Sequence, residues 1–201
     1  MGIGPEMKIG ILSVQGAVSE HLQMTHQAIQ DLGRSGSAVV VKTKEQLGQV
    51  ESLVIPGGES TAISRLIDKQ GLKDLILERS AEGMPVLGTC AGCILMAKEG
   101  DEDVRKSDTR LLSLMDMKVV RNAYGRQRES FEASLDLEVF ERPFPGIFIR
   151  APAIARTWAD CKPLGRLEEH IVMARQENLL AMTFHPELSH DSRVHQYFLD
   201  L

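Results

Sequence analysis

A cysteine set between two glycines is the residue of this chain best suited to nucleophilic chemistry. The segment Val86-Leu87-Gly88-Thr89-Cys90-Ala91-Gly92-Cys93 follows the G-x-S-x-G nucleophile-elbow pattern, with sulfur in place of oxygen. Glycines flank such a nucleophile because the tight strand-to-helix turn presses backbone against backbone, where side chains would clash. The turn lifts the sulfur above the carboxyl edge of the sheet, where open α/β folds bind their ligands. A helix starting after Cys90 aims unpaired N–H groups at that spot, which activates a thiol and offers the Ala91 N–H to a tetrahedral oxyanion. The same residues suit two other roles. Cys90 reads equally as a small buried residue in a strand-to-helix connection, and Cys90 with Cys93 forms a C-x-x-C pair of the kind that carries redox chemistry. Against redox, position 93 lies one turn into the helix ahead of Ile94-Leu95-Met96, a packing position, and a thioredoxin-like pair sits earlier in its fold. Cys161 has no motif around it and reads as structural.

A thiol that attacks an amide needs a base. His185 stands in the segment Met182-Thr183-Phe184-His185-Pro186-Glu187, at the end of an apolar run. Pro186 biases His185 toward extended backbone and stiffens the turn, which holds Glu187 within reach of the imidazole. Cys90, His185 and Glu187 then make a complete nucleophile–base–carboxylate set. A histidine after an apolar strand, taken alone, reads as a capped or surface residue, and His21, His26, His170, His190 and His195 are read in that way. His185, His190 and His195 form no compact ligand pair and have no cysteine nearby, so no metal is expected. In Pro56-Gly57-Gly58-Glu59-Ser60, adjacent glycines allow backbone N–H groups to point into a cleft and receive an oxyanion. Alone, Pro-Gly-Gly is equally an ordinary turn between strand and helix. No Gly-Lys-Ser/Thr follows it and no G-x-G-x-x-G occurs, so no phosphate loop and no cofactor are expected.

The elements that must position these residues follow an alternating rhythm. Apolar runs at 8–14, 38–41, 53–55 and 86–88 read as strands. Residues 20–32, 60–69 and 72–82 read as helices, with Ser60 as an N-cap candidate, and a further helix starts in 90–97. That order predicts a parallel sheet covered on both faces. Beyond it, 99–108 reads as a solvated mixed-charge loop. Runs at 118–121, 131–137, 146–149, 171–175 and 179–184 read as mixed or antiparallel strands extending the sheet, closed by a helix at 192–199. The fold class is therefore α/β, a three-layer open and mostly parallel sheet with an antiparallel extension. The 201 residues, 43% hydrophobic and 25% charged, suit one domain, with 1–6 as an N-terminal extension. A net charge of −5 argues against nucleic acid or an anionic membrane as partner. No apolar run is long enough to cross a bilayer and the N-terminus is not a secretory signal. The three cysteines suit a cytoplasmic protein with free thiols.

Together, the segments 56–61, 88–92 and 185–187 resemble, in order and spacing, the class I (triad) glutamine amidotransferases. Gly10-Ile11-Leu12-Ser13-Val14-Gln15-Gly16, Pro56-Gly57-Gly58-Glu59-Ser60-Thr61, Arg121-Asn122-Ala123-Tyr124-Gly125-Arg126-Gln127, Phe148-Ile149-Arg150-Ala151-Pro152 and Thr183-Phe184-His185-Pro186-Glu187 look like the glutaminase-subunit family of pyridoxal 5′-phosphate synthase, the PdxT family. This resemblance implies a flavodoxin-like fold and hydrolysis of L-glutamine to L-glutamate and ammonia, passed to a synthase subunit of the PdxS type. It implies Cys90 as nucleophile with His185 and Glu187, and backbone of Gly57, Gly58 and Ala91 as oxyanion site. Gly58, Glu59, Ser60, Arg121, Ile149 and Arg150 would hold glutamine, and Gln15 would face the synthase. In charge terms, Arg121 or Arg150 can meet the substrate carboxylate and Glu59 its ammonium. The family more often has Leu near Cys93 and Met96 and a small apolar residue at Ser13, none of them a triad position.

Overall fold

The computed structural model describes residues 7–13, 16–124 and 129–201. In chain order, the first half holds β1 (Met7–Leu12), α1 (Val18–Asp31), β2 (Gly36–Val41), the single-turn α2 (Lys44–Leu47), β3 (Ser52–Ile55), α3 (Ser60–Lys69), α4 (Leu72–Ala81), β4 (Val86–Thr89) and α5 (Ala91–Met96). β3 and β4 are buried at every position, as strands are when both sheet faces are covered. α1 buries His21, Thr25, Ala28 and Ile29, a spacing that sets one stripe of the helix against the sheet. α3 is capped by Glu59 instead of Ser60. The Glu59 carboxylate accepts from the N–H groups of Thr61 and Ala62, and Ser60 becomes the first helical residue, buried beneath the turn.

The second half holds β5 (Ala97–Gly100), α6 (Glu102–Lys106), β6 (Met115–Val120), β7 (Ser130–Leu135), β8 (Phe144–Ile149), β9 (Ala153–Thr157), β10 (Lys162–Leu167), β11 (His170–Gln176), β12 (Leu179–Met182), a 3-10 turn (Pro186–Leu188) and α7 (Arg193–Leu199). Two expectations are corrected here. The stretch 99–108 is not a loop. β5 pairs in parallel with β6, and α6 is capped by Asp101, whose side chain accepts from Val104 N–H. Val104 is the one residue of α6 that is buried, so charge dominates its sequence. β7 and β8 do not extend the large sheet but pair with each other in a separate antiparallel ribbon. β9 and β10 gave little sequence signal. β10 contains Pro163 and Gly165, and its ladder with β11 shifts register around Gly165, which suits a strand lying off the main path.

Among the described residues, ten strands form one sheet in the order β2-β1-β3-β4-β12-β11-β9-β6-β5, with β10 paired to β11. From β2 to β12 the neighbours run parallel, from β12 to β6 they run antiparallel, and the terminal β6–β5 pair is parallel again. Ile9, Ile11, Val54 and Leu87 join one core layer with Ile29 of α1 and Phe198 of α7. Leu53, Ile55 and Val86 join the other with residues of α2, α3, α4 and α5. Helices thus cover both faces, as the alternating pattern requires. No described helix is long and apolar enough to cross a membrane.

Helix α5 approaches β3 closely at Gly92. A Cβ there would collide with the Ile55 carbonyl oxygen of β3, a backbone atom with no freedom to give way. Gly92→Ala is expected to lower the unfolding free energy by about 1–3 kcal/mol, as measured by chemical denaturation, with the native far-UV dichroism retained.

Candidate active site

Three neighbouring parallel strands bring the chemical residues together. β3, β4 and β12 lie side by side, with Ile55 paired to Gly88, and Met182 to Thr89. Whatever follows each strand must emerge at the same sheet edge. β3 delivers Gly57 and Gly58, β4 delivers Cys90, and β12 delivers His185. Cys90 N–H donates to the Met182 carbonyl at 2.9 Å, so the nucleophile turn is tied directly to the strand that carries the histidine.

Cys90 has φ 49° and ψ −102°, a conformation that costs a non-glycine residue free energy and is kept where the surroundings enforce it. The enforcement is visible on both sides. A Cβ on Gly88 would lie 2.5 Å from Met96 Sδ and 2.8 Å from the Gly92 carbonyl carbon. The Cys90 side chain is nearly buried, and its Sγ lies 3.9 Å from the Ile149 carbonyl oxygen.

The imidazole of His185 lies against this cysteine, with Gly57 filling the third corner. A Cβ on Gly57 would stand 2.5 Å from His185 Cε1 and 3.3 Å from Cys90 Cβ. Only a residue without a side chain leaves the two in contact. His185 Nδ1 bonds Glu187 Oε1 at 2.7 Å, which leaves Nε2 for the thiol, and His185 N–H donates to the Ile147 carbonyl of β8 at 2.8 Å. Burial alone would push His185 down, but hydrogen bonds to Cys90 and to Glu187 overcome it and carry the imidazole up to about 10. Glu187 is held below the usual carboxylate range: burial opposes its charge, but His21 and His185 together outweigh burial.

The cleft in front of Cys90 encloses about 830 Å³ and is lined by Gly58, Glu59, Ser60, Ala91, Arg121 and Arg150 among others. Arg121 donates to Glu59 Oε1 at 2.7 Å, so the expected cation and anion face the cleft as a pair. Ser60 Oγ is buried and has no hydrogen-bond partner among the described residues, as a donor awaiting a ligand would be. The Ile149 side chain is exposed and does not line the cleft, only its carbonyl lying near Cys90, and Arg150 follows it with φ 44°. Gln15 lies outside the described residues. Its neighbour Ala17 donates from N–H to the Gly57 carbonyl at 3.3 Å. Because a trans peptide sets C=O and N–H on opposite sides, the Gly58 N–H then points away from Ala17.

Two expectations about cysteine and histidine are settled by burial. Cys93 is fully buried in the core layer of α3 and α4. Burial, and then the neighbouring Cys90 and Cys161, push its thiol well above the ordinary range, and its surroundings are those of a packing position. Cys161 is likewise buried, and burial with Asp116 raises it to about 12. His21 and His195, read from sequence as capped or surface residues, are instead buried behind Glu187 and bonded to each other at 3.2 Å. The signal for His21 was its place on the inward stripe of α1, with Thr25 and Ala28. Among the described residues, no group of three or more His, Cys, Asp or Glu could hold a metal ion.

The sequence matches, over residues 11–201, a family described as the SNO glutamine amidotransferase family. It is 50% identical over 194 residues to a Methanosarcina barkeri protein named pyridoxal 5′-phosphate synthase subunit PdxT, covering 96% of this chain and 97% of that one. A protein of the same name from Archaeoglobus fulgidus is 48% identical over 195 residues, covering 97% and 98%. A crystal structure described as a glutamine amidotransferase superposes with a TM-score of 0.84 at 40% identity, over 96% of this chain and 97% of that one.

The two influences on His185 can be separated by experiment. In the intact protein, its imidazole is expected to titrate near 10, followed by NMR of labelled histidine. In Cys90→Ala the hydrogen bond to sulfur is gone and burial regains weight, so the midpoint should fall. An unchanged midpoint would mean that Cys90 does not touch this ring.

Proposed function

The chain belongs to the SNO glutamine amidotransferase family, and within it we propose a thiol glutaminase whose nucleophile is Cys90 and whose base is His185. It hydrolyses L-glutamine to L-glutamate and ammonia as the glutaminase subunit of a pyridoxal 5′-phosphate synthase; the family is described by glutamine amidotransfer, and relatives that match along nearly its whole length are named as a subunit of that synthase. The whole chain acts as one catalytic domain, and the partner is the synthase subunit that consumes the ammonia. Three buried cysteines without a disulfide support a reducing, cytoplasmic setting.

The observation that carries this function is the 2.7 Å His185–Glu187 bond beside a strained cysteine at the floor of an open cleft. Glutamine enters with its side-chain amide toward Cys90. The Cys90 thiolate attacks the amide carbon, and the carbonyl oxygen becomes an oxyanion. The Ala91 N–H at the start of α5 and the backbone of Gly57 and Gly58 receive that charge. The His185 imidazolium gives its Nε2 proton to the departing nitrogen, the C–N bond breaks, and ammonia leaves a glutamyl thioester on Cys90. His185, now neutral, takes a proton from water as the water attacks the thioester. Glutamate departs, and the thiolate and imidazolium are restored. Glu187 holds the ring in the tautomer that presents Nε2 to sulfur and stabilises its positive charge. Arg121, Arg150, Glu59 and the unpartnered Ser60 Oγ meet the amino-acid end of the substrate, which carries a carboxylate and an ammonium.

The synthase docks at the Gln15 side. The support is the Ala17 N–H bond to the Gly57 carbonyl, which links the loop after β1 to the oxyanion backbone. Glutamine hydrolysis is therefore expected to rise when the synthase subunit is added, and equal rates with and without it would count against this coupling. A glutamine-like diazo-ketone should label Cys90, mapped by peptide mass spectrometry, and Cys90→Ala should lose more than about a thousandfold in hydrolysis. Ammonia release by Cys90→Ala at the parental rate would overturn the assignment.

A further inference from the structure

Glu187 has two carboxylate oxygens, and the mechanism uses only one. Oε1 is bonded to His185, whereas Oε2 is buried and has no partner that meets hydrogen-bond geometry among the described residues. Nε2 of His21, on the inward stripe of α1, lies 3.4 Å from it. The same Nε2 lies 3.0 Å from Thr89 Oγ1, at the carboxyl end of β4. Behind it, His21 Nδ1 faces His195 Nε2 of α7 at 3.2 Å, and His195 Nδ1 has no partner among the described residues. Side chains from three elements, His21, Thr89 and His195, thus converge on the unused side of Glu187 without lining the cleft.

The proton positions follow from the network. Burial pushes both histidines down, His195 to about 3, so each ring is neutral and carries one N–H. If His21 carried its proton on Nδ1, His195 would have to accept it on Nε2 and bury an N–H on Nδ1 with nothing to receive it. A bare lone pair of His21 would then face the Glu187 carboxylate. Both features are costly in a dry interior. In the opposite arrangement His195 Nε2–H donates to His21 Nδ1, and His21 Nε2–H points at Thr89 Oγ1 and Glu187 Oε2. The atom left unpaired is then a bare ring nitrogen, the cheapest group to leave so. Only this assignment suits a carboxylate at 3.4 Å.

We propose that His21 is a positioning residue for glutamine hydrolysis: its Nε2–H, with its tautomer set by His195, holds the second oxygen of Glu187 so that the first stays on His185. This rests on the triad reading given above. Without the donor, the buried Oε2 loses the N–H aimed at it, and the carboxylate is free to rotate off the ring or to take up a proton. The charged and titratable groups around Glu187 and His21 are His185 and Cys90 in the site, Glu20 on α1 and His195 on α7. The His21 Nε2–H directed at Oε2 favours the ionised carboxylate, so its removal moves protonation of Glu187 to higher pH.

The test uses the full chain, with His21→Leu and His21→Gln made in parallel. For His21→Leu, kcat for glutamine hydrolysis should fall roughly 10–100-fold, the range for loss of an outer-shell partner of an oriented imidazole, at unchanged KM. The acid limb of Cys90 alkylation by iodoacetamide should move to higher pH. His21→Gln, whose amide N–H can occupy the Nε2 position, should recover much of both. Nitrogen-15 NMR of the unsubstituted protein reads the tautomer without any substitution, and at pH 8 His21 should be neutral with its proton on Nε2. A proton on Nδ1, or a folded His21→Leu with parental kcat and a superimposable alkylation profile, overturns the proposal. Equal losses in Leu and Gln with an unmoved pH profile overturn it too, leaving a packing role. Cys90→Ala separates the two levels: if it still hydrolyses glutamine the triad reading fails, whereas an inactive Cys90→Ala with indifferent His21 variants refutes only this inference.

Discussion

The parallel pairing of β3, β4 and β12 governs almost everything else in this protein. β4 and β12 are separated by about ninety residues of chain, yet their ladder puts Met182 beside Thr89. Parallel neighbours end at one edge, and each of these three ends in a residue with a chemical role. Cysteine, imidazole and adjacent glycines could not meet if any of the three ran the other way. The Cys90 N–H bond to the Met182 carbonyl extends that ladder by one step beyond the last regular pair. The sheet therefore supplies orientation, and the loops need only finish it.

Close contact at this edge depends on what is missing from the side chains. Gly57 lies against His185 and Cys90, Gly88 against Met96 and Gly92, and Gly92 against Ile55. The unfavourable backbone angles of Cys90 persist because the layers on each side leave no alternative path for the turn. Stability and reactivity are thus drawn from the same contacts. A substitution that relaxed the turn would also misplace the sulfur.

The half of the fold with a clean βα rhythm was legible because both faces of its sheet are covered, which makes strands such as Leu53-Val54-Ile55 uniformly apolar. The site residues were legible as short motifs whose spacing is set by tight turns. The second half was harder for identifiable reasons. α6 buries Val104 alone, so its sequence is nearly all charge, and β10 is interrupted by Pro163 and Gly165. β7 and β8 look like sheet strands from their alternation, and nothing local tells a strand which partner it will find. Ser60 has the chemistry of an N-cap, but Glu59, one residue earlier, reaches two N–H groups where a hydroxyl meets one. His21 and His195 are polar residues whose partners lie far along the chain, and only the packing of α1 against α7 brings them together.

β5 closes one end of the large sheet, and its side chains carry part of the mixed charge that hid it from view. Lys98 pairs with Asp116, Glu99 with Arg156, and Arg105 reaches back to the Gly100 carbonyl. Ionic side chains along a short terminal strand make it a poor template for a strand of another molecule.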